Sequence, residues 1–225
     1  MFMVLRSPRQ QSSVLVTGFD PFGGASTNAS WLAVRALSGC VIDGHPVITA
    51  ELPTVFAQAW PQLKRLMDEH RPRLVLAVGE AAGRSSISLE RVALNLCDAR
   101  IPDNAGAQPV EQPVDAAGPA AYSSRLPLRA VKAELDALGI PAEISNTAGT
   151  FVCNQVFYQL MQALDGDPGG RGGFIHVPLC AEYPRPGLPS VPLEVLKQAL
   201  YLIVKTALRL DNGGQISSSE REVSL

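Results

Sequence analysis

The sequence predicts an α/β fold in which a largely parallel sheet carries helices on both faces. Three observations lead there. Short apolar runs rich in β-branched residues recur along the chain, such as VLVTGF at Val14–Phe19 and LVLAV at Leu74–Val78. Segments with apolar residues at helical spacing alternate with these runs, which is the pattern of βαβ units. No internal repeat and no second zone of composition interrupts the 225 residues, so one domain with a sizeable core is expected.

Val14–Phe19 opens the domain as a buried strand, ended by the Gly/Pro-rich loop Asp20–Thr27. Asn28 can cap a helix over Ala29–Leu37, where Trp31, Val34 and Leu37 recur at helical spacing and Gly39 supplies a stop. A strand follows at Pro46–Leu52, then a helix over Val55–Glu69 in which Pro61 predicts a kink or restart. After the strand Leu74–Val78, a strand pair is expected around Ile87–Leu96. The Pro/Gly/Asp-rich loop from Cys97 to Pro119 is too long to be mere connection. A helix over Leu128–Leu138 closes on Gly139, and a strand at Ala142–Ser145 leads to a helix from about Thr150 to Leu164. The Gly-rich stretch GDPGGRGG precedes a strand at Phe174–Val177, and Leu193–Leu208 forms the last helix. Residues 1–13 read as an extension and 211–225 as a polar tail, leaving 14–210 as the domain.

Composition narrows the function. With 19 Lys+Arg against 21 Asp+Glu the net charge is -2, which gives no electrostatic basis for binding nucleic acid or an acidic membrane. The first residues, MFMVLRSPRQQSS, lack a sustained apolar leader core, and no uncharged apolar stretch reaches membrane-spanning length, so a soluble cytoplasmic protein is expected. Cys40, Cys97, Cys153 and Cys180 form no C-x-x-C pair and are too sparse for a disulfide scaffold. Zinc is disfavoured on the same ground, and His45, His70 and His176 complete the supply of metal or redox ligands.

In open α/β sheets ligands gather beyond the carboxyl ends of the strands, and four features lie in that zone. GFDPFGGAST follows the first strand with the G-x-x-x-x-G skeleton of a phosphate loop, at Gly18 and Gly23. Gly24 and Ala25 stand where the phosphate-gripping Lys and the magnesium-binding Ser/Thr belong, so the loop reads either as a tight turn or as the wall of a small-ligand pocket lined by Phe19 and Phe22. Cys153 falls in the first turn of a helix, where backbone N–H groups and the macrodipole favour a thiolate and could hold an oxyanion; a small apolar core filler is the other reading. His176 ends an apolar strand, the place for a general base or for a satisfied core histidine. Glu90 interrupts the apolar run ISLERVALNL. It must have a partner there, either an imidazole to orient or one of the neighbouring Arg84 and Arg91.

The segments TGFDPFGG, GRSSISLERVALNL through DARIPDN, SNTAGTFVCNQVFY and GGFIHVP, in that order from residue 14 to about 180, resemble the pyroglutamyl-peptidase I family of cysteine peptidases. The resemblance implies a single-domain, three-layer α/β/α sandwich with a mostly parallel central sheet, often assembled as a homotetramer, with no metal or organic cofactor and with peptides bearing N-terminal pyroglutamate as substrates. It implies Cys153 as nucleophile, His176 as general base and then acid, and Glu90 as the group that orients the imidazole. It further implies a lactam pocket including Phe19, Phe22, Phe151 and Val152, with Asn28, Thr54 and Ile101 nearby and Arg100 near the oxyanion. One departure stands out: the family commonly has a neutral residue at the position of Glu80 and glycine at that of Ala82. A backbone carbonyl at position 80 would tolerate the change, whereas a carboxylate facing the pocket would alter specificity.

Two other classes compete with a peptidase. A nucleoside phosphorylase or hydrolase would use the glycine loop for phosphate, and a non-catalytic binding domain would keep a pocket without thiol reactivity. Neither accounts for the spaced Cys153, His176 and Glu90 segments.

Overall fold

The computed structural model describes residues 12–167 and 169–210. The expected tail over 211–225, and all but the last two residues of the expected extension over 1–13, lie outside them. In chain order the elements are β1 Val14–Phe19, α1 Ala29–Arg35, β2 Val41–Ile42, β3 His45–Leu52, α2 Ala59–His70, β4 Leu74–Glu80, β5 Ile87–Glu90, β6 Val92–Leu94 and β7 Ala121–Ser123. There follow α3 Leu128–Ala137, β8 Ala142–Ser145, α4 Val152–Asp165, β9 Arg171–Val177, β10 Leu179–Cys180, β11 Ser190–Val191 and α5 Leu193–Arg209.

Seven strands form one sheet in the order β2-β3-β1-β4-β9-β5-β8. β3, β1, β4 and β9 run parallel to one another. β5 turns antiparallel to β9 and takes β8 with it in parallel, and β2 closes the far edge as an antiparallel hairpin strand. The side-chain period of two sorts the strands' apolar residues onto two faces. Val14, Val16, Leu74, Leu76, Val78, Ile87, Leu89, Ile175 and Val177 pack with residues of α1, α3 and α5. Leu15, Phe19, Val75, Ala77 and Phe174 pack with α2 and α4 on the other face. The result is the three-layer α/β/α sandwich with a mostly parallel central sheet.

Local outcomes differ from the sequence reading for identifiable reasons. α2 starts at Ala59, four residues later than expected, which puts Pro61 in its first turn. A proline there lacks an N–H that would have had no intrahelical partner anyway, so no kink follows. The expected strand pair around Ile87–Leu96 exists as two strands that do not pair with one another: β5 joins the main sheet, while β6 pairs with β7 across the long loop. β9 reaches back through two glycines to Arg171. A Cβ on Gly172 would lie 2.9 Å from Leu164 and from the Val75 carbonyl, and one on Gly173 2.6 Å from Leu126 and Ser124, so the strand needs glycine where the sequence read as loop.

One close approach sets the floor of the molecule's upper edge. A Cβ on Gly18 would meet the Trp31 backbone at 2.7 Å, because the first turn of α1 lies directly on the end of β1. The carboxyl ends of β1, β4 and β9 and the first turns of α1 and α4 then converge on one rim.

Candidate active site

Cys153 is the second residue of α4, after a Phe151 N-cap that gives no side-chain cap bond. The first-turn N–H groups therefore have no intrahelical acceptor and are available to an anion. The turn is held from below by Asn154, which is fully buried: its Oδ1 accepts the Leu94 N–H at 2.9 Å and its Nδ2 donates to the Leu94 and Leu96 carbonyls, each at 2.9 Å. Thr150, just before, donates its hydroxyl to the Asp98 carbonyl at 2.7 Å and accepts the Asp98 N–H on its own carbonyl at 2.9 Å. The end of β6 and the start of the long loop thus anchor the two sides of the cysteine.

His176 is the penultimate residue of β9 and Glu90 the last residue of β5. Strand alternation turns both side chains to the α2/α4 face, opposite to Ile175, Val177, Ile87 and Leu89. His176 Nδ1 lies 2.8 Å from Glu90 Oε1, and its ring rests on Phe174 at a centroid distance of 5.0 Å. The other edge of the imidazole faces Gly79 of β4. An ideal Cβ on Gly79 would stand 2.8 Å from Cys153 Sγ and 3.0 Å from His176 Nε2, so the sulfur and the nitrogen crowd into the same small space that glycine leaves open. The structure therefore brings together Cys153, His176 and Glu90 in the order sulfur, imidazole, carboxylate.

Burial pushes the Glu90 carboxyl up, but the hydrogen bond and charge of His176, with Ser145 and Arg84, outweigh it and hold the pKa below the ordinary carboxylate value. The thiol goes the other way from the reading of its helix position. Burial first, then the Glu90 charge, pushes the Cys153 pKa up to about 12, against the opposing effects of its own backbone N–H and Arg84. A helix N-terminus alone would lower it; here desolvation and a neighbouring carboxylate outweigh that effect and favour the neutral thiol.

The expected pocket residues divide into two groups. Phe22 and Phe151, both half-buried, pack at 6.1 Å between ring centroids, and Ile101 is exposed with its Cδ1 over the position a Gly23 side chain would take. These three offer apolar surface at the rim. The others are engaged elsewhere. Phe19 is 2% exposed and Val152 has no exposure, so both form the floor within the α2/α4 core. Asn28 caps α1, accepting the Ser30 N–H at 3.0 Å and donating to the Asp20 carbonyl at 2.9 Å. Thr54 donates its N–H to Asp20 Oδ1 and its hydroxyl to the Asp20 carbonyl. Glu80 lies on the α1 face: Oε2 accepts the Ala29 N–H at 2.7 Å at the start of α1, and Oε1 pairs with Arg185 at 2.8 Å. Its side chain is committed there and leaves only the backbone for the pocket. Arg100 is exposed and makes no hydrogen bond or ion pair with another described residue.

Several contributors escaped the sequence reading. Phe56 meets Phe151 edge-on at 5.2 Å and completes the aromatic wall. Its N–H is held by Asp103 Oδ2 at 2.8 Å, while the other oxygen of Asp103 caps the turn at Ala105 and Ala107. Asn104 then donates to the Pro21 carbonyl, which ties the long loop to the glycine loop. Gly23 and Gly24 both have positive φ, so the glycine loop works as a left-handed turn. Arg84, and not Arg91, pairs with Glu90, at 2.7 Å. Among the described residues no helix is long and apolar enough to cross a membrane.

Comparison with known proteins identifies one family. The profile of the pyroglutamyl peptidase family matches residues 12–210. The chain is 50% identical over 200 residues to a pyrrolidone-carboxylate peptidase of Klebsiella pneumoniae, covering 88% of this chain and 94% of that protein. It is 45% identical over 212 residues to one of Bacillus licheniformis, covering 91% and 98%. The fold superposes on the crystal structure of Bacillus amyloliquefaciens pyroglutamyl peptidase I with a TM-score of 0.86 and 43% identity, over 89% of this chain and 98% of that one. A mutant pyrrolidone carboxyl peptidase from Pyrococcus furiosus gives 0.84 and 38%, over 88% and 99%.

Proposed function

The chain belongs to the pyroglutamyl peptidase family, a family of cysteine-type omega peptidases, and from that premise we propose that it removes N-terminal pyroglutamate from peptides by acyl transfer through Cys153. The observation that supports this most is the shared space at Gly79, where Cys153 Sγ and His176 Nε2 meet while Glu90 holds the opposite ring nitrogen.

With the thiol pKa raised to about 12, proton transfer belongs to the attack itself. His176 Nε2 takes the thiol proton as Sγ bonds to the carbonyl carbon joining pyroglutamate to the next residue. The resulting oxyanion is met by the unpaired N–H groups of the first turn of α4. Glu90, ionised beside Nδ1, stabilises the imidazolium that forms. The imidazolium then passes its proton to the leaving amine as the C–N bond breaks. A water molecule, giving a proton to the same nitrogen, adds to the thioester; the C–S bond then breaks to release pyroglutamate, and the departing sulfur takes the proton back from His176.

Selectivity follows from the wall of Phe22, Phe56 and Phe151. A lactam is flat and uncharged and loses little on entering it, whereas the ammonium of an ordinary N-terminal residue would be desolvated without a partner. Four free thiols suit a reducing, cytoplasmic setting. The homo-oligomer, a tetramer by family resemblance, is part of the same proposal and is measured by light scattering.

The test is Cys153→Ser assayed on a pyroglutamyl-linked reporter. The expected loss is on the order of a thousandfold or more in kcat. Activity near that of the parent would remove Cys153 from the reaction.

A further inference from the structure

Glu90 has no exposed surface, and its two oxygens are treated unequally. Oε1 lies 2.8 Å from His176 Nδ1 and also accepts Arg84 Nη1 at 2.7 Å, while Oε2 is buried with no hydrogen-bond partner. Arg84 enters from the turn between β4 and β5, with its side chain 29% exposed, and its second nitrogen donates to the Thr147 carbonyl at 3.3 Å, in the segment leading to Cys153. One guanidinium therefore touches the carboxylate behind the imidazole and the chain before the nucleophile. Arg91, next to Glu90 in sequence, is exposed and lines a different cavity with Leu126, Pro127 and Ile144.

We propose that Arg84 is a positioning residue of the catalytic pair: it keeps Glu90 charged and fixed against His176, and its positive charge offsets the repulsion that Glu90 imposes on a thiolate at Cys153. The inference rests on the peptidase reading above.

The groups facing Glu90 are His176 from β9, Arg84 from the turn, Ser145 from β8 and Cys153 from α4. Removing the only permanent cation among them has two consequences of known sign. The carboxylate protonates more readily, so the acid limb of the pH profile moves to higher pH. The thiol ionises less readily, because the Glu90 charge then acts on it unopposed. An opposite charge in contact is worth roughly one to three pKa units, and the partial exposure of Arg84 puts the expected movement near the bottom of that range, about one unit.

The experiment compares Arg84→Met, Arg84→Gln, Arg84→Lys and Arg91→Met in the full chain. For each, kcat/KM on a pyroglutamyl reporter and the rate of iodoacetamide labelling at Cys153 are followed from about pH 3 to 9, with thermal unfolding alongside. In the uncharged variants the acid limb is expected to move up by about one unit. Labelling at fixed pH slows by less than about tenfold, because Arg84 touches Glu90 and acts on the thiol only from a distance, and kcat falls more than KM rises. Arg84→Lys returns the limb most of the way, and Arg91→Met leaves it in place. An unmoved acid limb in whichever uncharged variant folds, or a lysine variant no better than methionine, overturns the proposal. If Cys153→Ser is inactive while the Arg84 profiles superpose on the parent, only this inference fails. If Cys153→Ser is active, the peptidase mechanism fails with it.

Discussion

Gly79→Ala is the smallest change that tests the catalytic geometry. The added methyl would sit 2.8 Å from Cys153 Sγ and 3.0 Å from both Cδ2 and Nε2 of His176. To reach an ordinary contact of about 3.4 Å, the sulfur must retreat by about 0.6 Å and the ring by about 0.4 Å. Neither retreat is free: the helix start is pinned by Asn154, and the imidazole is held between Glu90 and Phe174. Gly79 lies within β4 and has no positive φ, so alanine meets no backbone strain. The penalty falls on the two side chains. Misplacement of reacting groups on the ångström scale costs about a hundredfold in rate, while overpacking of this size costs about 1–3 kcal/mol of stability. The expected outcome is a folded protein whose melting temperature drops by several degrees and whose kcat/KM on a pyroglutamyl reporter falls by about a hundredfold or more. Activity within about threefold of the parent, less than 1 kcal/mol in barrier, would mean that Sγ and Nε2 do not need this space to react.

Two further outcomes follow from the charges. Glu80→Gln keeps an oxygen for the Ala29 N–H but loses the ion pair with Arg185; stability should fall by about 1 kcal/mol in urea unfolding, while the preference for pyroglutamyl over prolyl reporters stays unchanged. A shift in that preference would place the carboxylate in the pocket. Alkaline stability should also decline. Burial raises the thiols of Cys97, Cys153 and Cys180 to about 11, 12 and 11 from an ordinary 9.0. A group whose folded pKa is raised contributes stability that is intact below the unfolded value and is lost as pH rises toward the folded one. Urea midpoints should hold to about pH 8.5 and fall between pH 9 and 11, and a Cys97→Ala variant should fall less; a flat profile across that interval would contradict the burial of these thiols.

The strand cores were legible because buried strands are continuous apolar runs, and β1 and β4 leave little doubt in VLVTGF and LVLAV. What periodicity does not carry is which strand lies beside which. The reversal of β5 and β8 against β9 is a long-range choice, and it decides the site: only with β5 beside β9 does Glu90 share a face with His176. The buried acid announced that it needed a partner, and strand alternation explains why that partner is Arg84, since Arg91 is one residue on and turns to the other side. Polar residues at the loop ends depend on the same long-range pairing. Asn28, Thr54 and Glu80 stand at loop mouths where ligand contacts are expected, yet their hydrogen bonds are consumed by α1, by Asp20 and by Arg185. A buried backbone donor at such a mouth must be satisfied before any ligand arrives.

The helix position of Cys153 marked it as reactive for a reason that applies only in part. The macrodipole argument treats the thiol as though water surrounded it, whereas desolvation and a nearby carboxylate push its pKa the other way. Glu90 is thus asked for two opposed services: beside His176 it stabilises the imidazolium, and across from Cys153 it disfavours the thiolate. Both charges appear together during attack, so the unfavourable term is offset only when the imidazolium forms between the carboxylate and the sulfur. Such an arrangement gives little thiolate to a stray oxidant or alkylating agent at rest, and releases the nucleophile when a substrate carbonyl can take its electrons. Gly79 and Arg84 then have complementary duties, one leaving the sulfur and imidazole room to meet and the other restraining the charge behind them.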